Sequence, residues 1–174
     1  MQIDEDYLVA QLKALLAIDS PTGYTDQVVR HCSRELERLG LKPELTRRGA
    51  IRAVRQGSRR KGARAIIAHL DTLGAQVKLV KENGRLELVS IGHWSARFAE
   101  GGRVTIYTEN GTFRGTVLPL KASGHTFNEG VDTLPVGWAY VELRIDAVTQ
   151  SKADTKALGI DVGDFVAFDT GAEF

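Results

Sequence analysis

The sequence predicts an α/β unit followed by a small all-β, barrel-like unit. Three observations carry this reading. Two amphipathic helical stripes open the chain. A short, continuous apolar run, Ala65-Ile66-Ile67-Ala68, comes next. After Gly74 short strands follow in quick succession, and two pairs of them are joined by Asn-Gly. Length agrees, because 174 residues make one domain or two small ones.

Leu8, Leu12, Leu15 and Leu16 recur at helical spacing and predict a helix over about residues 4–18. Ser20-Pro21-Thr22-Gly23 ends it, and Pro21 biases Ser20 away from helical dihedrals. Val28, Val29, Cys32, Leu36 and Leu39 form the stripe of a second helix, started near Thr25 or Asp26 and stopped by Gly40. Cys32 lies on that stripe as a small buried hydrophobe. Residues 41–46 and 50–55 read as strands around Arg48-Gly49. The run 65–68 reads as a strand buried on both faces.

In the second unit, residues 76–81 and 85–90 flank Asn83-Gly84, and residues 103–108 and 112–118 flank Asn110-Gly111. From Trp138 to Ile145, Ala139, Val141, Leu143 and Ile145 alternate against Tyr140, Glu142 and Arg144, a strand with one buried face. Ser151 and Asp154 read as the capping pair of a short helix that Gly159 stops. Phe165-Val166-Ala167-Phe168 is a final strand. The predicted organisation is an α/β part at 1–72, an inserted β-barrel-like unit at 73–164, and a strand at 165–174 returning toward a layer outside the chain.

Composition excludes several classes. Apolar content is 43% and net charge is +1, so a folded chain is expected rather than a disordered one. No run of 18 apolar residues crosses a membrane. The start, Met1-Gln2-Ile3-Asp4-Glu5-Asp6, is acidic where a signal peptide is basic and then apolar. A single cysteine makes no internal disulfide, and a cytoplasmic location is expected. Between Glu44 and Asp71 lie Arg47, Arg48, Arg52, Arg55, Arg59, Arg60, Lys61 and Arg64 without an acid. Apolar residues and turn-forming glycines interrupt this run, and no aromatic stands in it to stack on bases. Nucleic acid is therefore not an expected partner.

The sharpest chemical feature is Ala68-His69-Leu70-Asp71-Thr72-Leu73-Gly74, directly after the apolar run. Sites in open α/β sheets form at the carboxyl ends of strands. In extended chain the side chains of His69 and Asp71 leave on one face. That pairing suits a metal-ligating imidazole with a carboxylate that orients it. A catalytic zinc needs three protein ligands, and His31, His93 and His125 supply no spacing that completes the set. Ser123-Gly124-His125 has no third member to make a nucleophile and base. Trp94, Phe98 and Trp138 read as core or contact residues of the β unit.

Around His69 and Asp71 the chain resembles the tetrahedral aminopeptidases, two-metal peptidases of the glutamyl and deblocking type. The likeness extends from Leu15-Leu16-Ala17-Ile18-Asp19-Ser20-Pro21-Thr22-Gly23-Tyr24 to Gly163-Asp164-Phe165-Val166-Ala167-Phe168-Asp169. Residues 91–94 and 120–129 resemble a subgroup found with bacterial synthesis of the osmoprotectant N-acetylglutaminylglutamine amide. The resemblance implies a metalloaminopeptidase that uses two zinc or cobalt ions on peptide substrates. It implies His69 as a metal ligand and Asp71 as the catalytic-site acid that orients it. It also implies a β domain inserted after the first ligand strand, and homo-oligomers built as dimers and a twelve-subunit shell. The match is to the family's N-terminal half, so the chain alone is expected to be inactive. Two other functions fit the residues: a non-catalytic oligomerisation or binding module, and a related zinc dipeptidase or deacylase.

Overall fold

The computed structural model describes residues 3–58 and 62–173. Arg59, Arg60 and Lys61 of the basic run lie outside the described residues. The chain divides into two compact units, Met1–Asp71 and Thr72–Phe174. Among the described residues, no helix is long and apolar enough to cross a membrane.

The first unit opens with α1 (Glu5–Leu16), whose N-cap Asp4 accepts a hydrogen bond from the Tyr7 amide. Helix α2 (Asp26–Arg38) ends in two reversed bonds, Gly40 N–H to the Glu37 carbonyl and Leu41 N–H to the Leu36 carbonyl. This is the Schellman arrangement, and Gly40 takes the left-handed φ of +77° that it requires. A polar network joins the helices: Tyr7, Gln11 and Arg38 all donate to Glu35. The strands expected at 41–46 and 50–55 shrink to a two-stranded ribbon, β1 (Glu44–Leu45) with β2 (Ile51–Arg52).

The buried strand expected at 65–68 does not form. Residues 62–71 have no strand structure, and Ile66 and Ile67 are 99% and 91% exposed. A strand exists through its neighbours, because its backbone donors and acceptors need at least one partner strand. Among the described residues β1 and β2 pair only with each other, so nothing flanks this run.

The second unit is a closed barrel in the order β3-β4-β7-β6-β5-β8, antiparallel throughout. Its strands are β3 (Gly74–Val80), β4 (Leu86–Ile91), β5 (Arg103–Thr108), β6 (Gly111–Pro119), β7 (Val141–Ile145) and β8 (Phe165–Phe168). Both Asn-Gly hairpins form as expected, β3 with β4 and β5 with β6. Gly84 turns the first at φ +80°. Between β6 and β7 lies the four-residue α3 (Gly124–Phe127). Helix α4 (Lys152–Ala157) carries the full reciprocal capping box of Ser151 and Asp154. Leu86, Leu88, Ile106, Val117, Leu143 and Val166 fill the interior. Trp94 and Trp138 pack edge-to-face at 4.9 Å against this core, whereas Phe98 is 78% exposed.

Three details differ from the sequence reading. Strand β8 does not leave the β unit; it pairs with both β3 and β5 and closes the barrel. Without it those two strands would each present an open edge. The strand expected from Trp138 starts at Val141, because Trp138–Tyr140 form a 3-10 turn. Glu142, on the polar side of that alternation, is only 3% exposed, because Lys81 and Arg85 reach over it and donate to its two oxygens.

Candidate active site

The structure brings His69 and Asp71 together within the first unit, on a segment without strand structure rather than at the end of a strand. His69 Nδ1 lies 2.9 Å from the Asp71 main-chain carbonyl and 3.4 Å from Asp71 Oδ1. A carbonyl oxygen carries no proton, so Nδ1 is the donor in the short contact. The neutral ring then has its lone pair on Nε2. The His69 side chain is 84% exposed, and Nε2 has no partner among the described residues. The nearer orienting group is thus the main chain of Asp71, with the carboxylate second.

Sequence reasoning gave no role to two residues that hold this segment. Pro21-Thr22-Gly23-Tyr24 is a turn closed by the Tyr24 amide on the Pro21 carbonyl at 2.7 Å, with Gly23 at φ +99°. The turn aims Thr22 Oγ1 at Asp71 Oδ2, and the hydroxyl donates at 2.6 Å. Beside it, fully buried Ser20 donates from Oγ to the Leu70 carbonyl at 3.2 Å. The local signal was the Ser-Pro-Thr-Gly turn itself. Its partner, 49 residues away, was not in the sequence pattern.

The Thr22 hydrogen bond holds the Asp71 carboxyl below the usual carboxylate range; partial burial opposes it, and the Asp71 backbone and His69 add to it. Asp71 is therefore an anion at neutral pH, suited to face a donor. The surrounding groove, about 2290 Å³, is lined by α1, α2 and residues 48–58 and 62–71. His31 bonds Gln11 across the two helices, while His93 and His125 are exposed in the second unit. Among the described residues no three His, Cys, Asp or Glu side chains gather as a metal site.

The donor chemistry at His69 fits one metal ligand. An outward Nε2 with its Nδ1–H given to a carbonyl and carboxylate is the arrangement of ligating histidines.

Known proteins share the sequence family and the fold of this chain. Residues 49–174 match the M42 glutamyl aminopeptidase family. The chain is 34% identical over 163 residues to YhfE of Bacillus subtilis (strain 168), whose name assigns it provisionally to the aminopeptidases. That match covers 93% of this chain and 47% of the relative, so the chain spans about half the relative's length. Aminopeptidase APDkam598 from the archaeon Desulfurococcus kamchatkensis superposes with a TM-score of 0.82 at 25% identity, over 97% of this chain and 45% of that one. The Pyrococcus horikoshii TET1 peptidase, described as assembling into a tetrahedron or a large octahedral shell, shares the fold. Its TM-score is 0.72 at 21% identity, over 94% of this chain and 47% of that one. With one family matched across the end of the groove segment and the entire barrel, this chain belongs to the M42 glutamyl aminopeptidases.

Proposed function

We propose that the chain is part of a metal-dependent aminopeptidase in which His69 is a metal ligand and Asp71 positions it. The observation that carries this reading is the His69 ring, tied through Nδ1 and open at Nε2. Family membership supports the peptidase class. Zinc and cobalt both accept imidazole nitrogen. Lewis-acid polarisation of the scissile peptide carbonyl is the chemistry such an ion supplies when bound. The chain's own residues act earlier, by fixing the ring. Asp71 takes the Nδ1 proton contact, raises the basicity of the ring, and keeps Nε2 directed outward.

A catalytic metal takes three protein ligands. The proposal therefore assigns the remaining ligands and the general base to sequence beyond these 174 residues, which the half-length match supports. Zinc competition titration of the full-length protein that carries this segment tests it. His69→Ala is expected to weaken zinc binding by at least ~10-fold, as for loss of a ligand or its support. Unchanged affinity overturns the assignment of His69.

A second part of the proposal is self-association through the β unit, supported by the assembly described for the TET1 peptidase. Light scattering is expected to give at least a dimer, and a strictly monomeric chain overturns this part.

A further inference from the structure

We infer that Thr22 is a positioning residue for the metal-ligating face of His69. The inference rests on the reading of His69 as a ligand given above. Thr22 Oγ1 donates to Asp71 Oδ2 at 2.6 Å, and the other oxygen of that carboxylate stands 3.4 Å from His69 Nδ1. One hydroxyl thus sets the rotation of the carboxylate, which stands on the Nδ1 side of the ring behind the nearer Asp71 carbonyl at 2.9 Å. Free neutral imidazole exchanges its proton between the two nitrogens. A fixed carboxylate and carbonyl on one side favour the Nδ1–H form, which leaves the Nε2 lone pair for a metal.

Thr22 can do this because it does not move freely. It occupies a turn closed at 2.7 Å, between buried Pro21 and a glycine at φ +99°. The adjoining buried Ser20 anchors Leu70, so the turn and the His69–Asp71 segment are tied at two points. The second tie fixes where Asp71 starts, and the first fixes how its carboxylate is turned. Asp71 by itself has ordinary rotamer freedom at 37% side-chain exposure. Its orientation therefore depends on the Thr22 bond.

The test uses the full 174-residue chain, labelled with 15N and free of metal, at about pH 8, above the ordinary imidazole range. The readout is the pair of His69 ring-nitrogen shifts, which report the tautomer without any activity. Wild type is expected to show a protonated Nδ1 and an unprotonated Nε2. Thr22→Val, which keeps the shape and removes the hydroxyl, is expected to raise the share of the Nε2–H tautomer measurably above the wild-type share, with the Asp71 carbonyl still favouring Nδ1–H. Thr22→Ser, which keeps the hydroxyl, is expected to restore the wild-type share. The barrel amide spectrum is expected to be the same in all three. A wild-type tautomer share in Thr22→Val overturns the inference, and so does a Thr22→Ser variant that behaves like Thr22→Val. If His69→Ala binds zinc as wild type does, the ligand reading fails instead, and the tautomer still judges Thr22 alone.

Discussion

The two units put similar apolar residues to opposite fates. In Thr72–Phe174, Leu86, Ile106 and Leu143 are fully buried inside a barrel that has no free edge. In Met1–Asp71, Val28 is the one hydrophobic core residue among those described, while Ile66 and Ile67 stand in solvent. Burying two isoleucines contributes about 3–6 kcal/mol, a contribution that these 174 residues do not contain. An apolar pattern states that a segment needs cover. Only other elements packed against that segment supply it.

The barrel half of this comparison is most exposed to Leu86→Ala. Leu86 is fully buried, pairs with Leu143 in the ladder, and leaves a cavity when truncated. The expected loss is about 3 kcal/mol in denaturant unfolding monitored by barrel tryptophans. A loss below about 1 kcal/mol would mean that the barrel is no better packed than the first unit.

Glu142 sharpens the contrast, because it is a charge the barrel buries. Burial raises its carboxyl, but hydrogen bonds and charge from Lys81 and Arg85 outweigh that and hold it below the usual glutamate range. A depressed carboxylate stabilises the fold above its unfolded value, about 4.3, and that contribution disappears as pH falls through the lower folded value. Glu142→Gln is expected to cost about 2 kcal/mol at pH 7 and to flatten the acid limb of the stability profile. An unchanged acid limb would show that the three groups are not coupled. The smallest effect is expected in the other unit. Ile66→Ala removes a side chain that is already solvated, so the change should stay within about 0.5 kcal/mol in the same unfolding assay. A loss matching that of Leu86→Ala would erase the difference between the units.

Much of the fold was legible where its cause is local. Gly40 stops α2 because only a left-handed residue closes that end, and Gly40 follows the last stripe residue in the chain. Asn83-Gly84 and Asn110-Gly111 marked the two hairpins, with Gly84 inside the first turn and Gly111 already paired with Thr108 as the first residue of β6. Ser151 and Asp154 capped α4 across three residues. The burial of Glu142 was not legible, because alternation assigns faces without knowing which long side chains will cover them. At the candidate site, His69 and Asp71 were legible because they lie two residues apart, and Thr22 was not, because its partner is 49 residues away.

The sequence by itself determined the helices, the hairpins, the capping box and the His-x-Asp pair, since each is decided by backbone and side-chain chemistry within a few residues. Tertiary structure alone decided that residues 65–68 stay unpaired, that β8 closes the barrel, and that Thr22 holds Asp71. Strand pairing and long-range hydrogen bonds need partners brought from elsewhere in the chain, and local propensity does not name those partners.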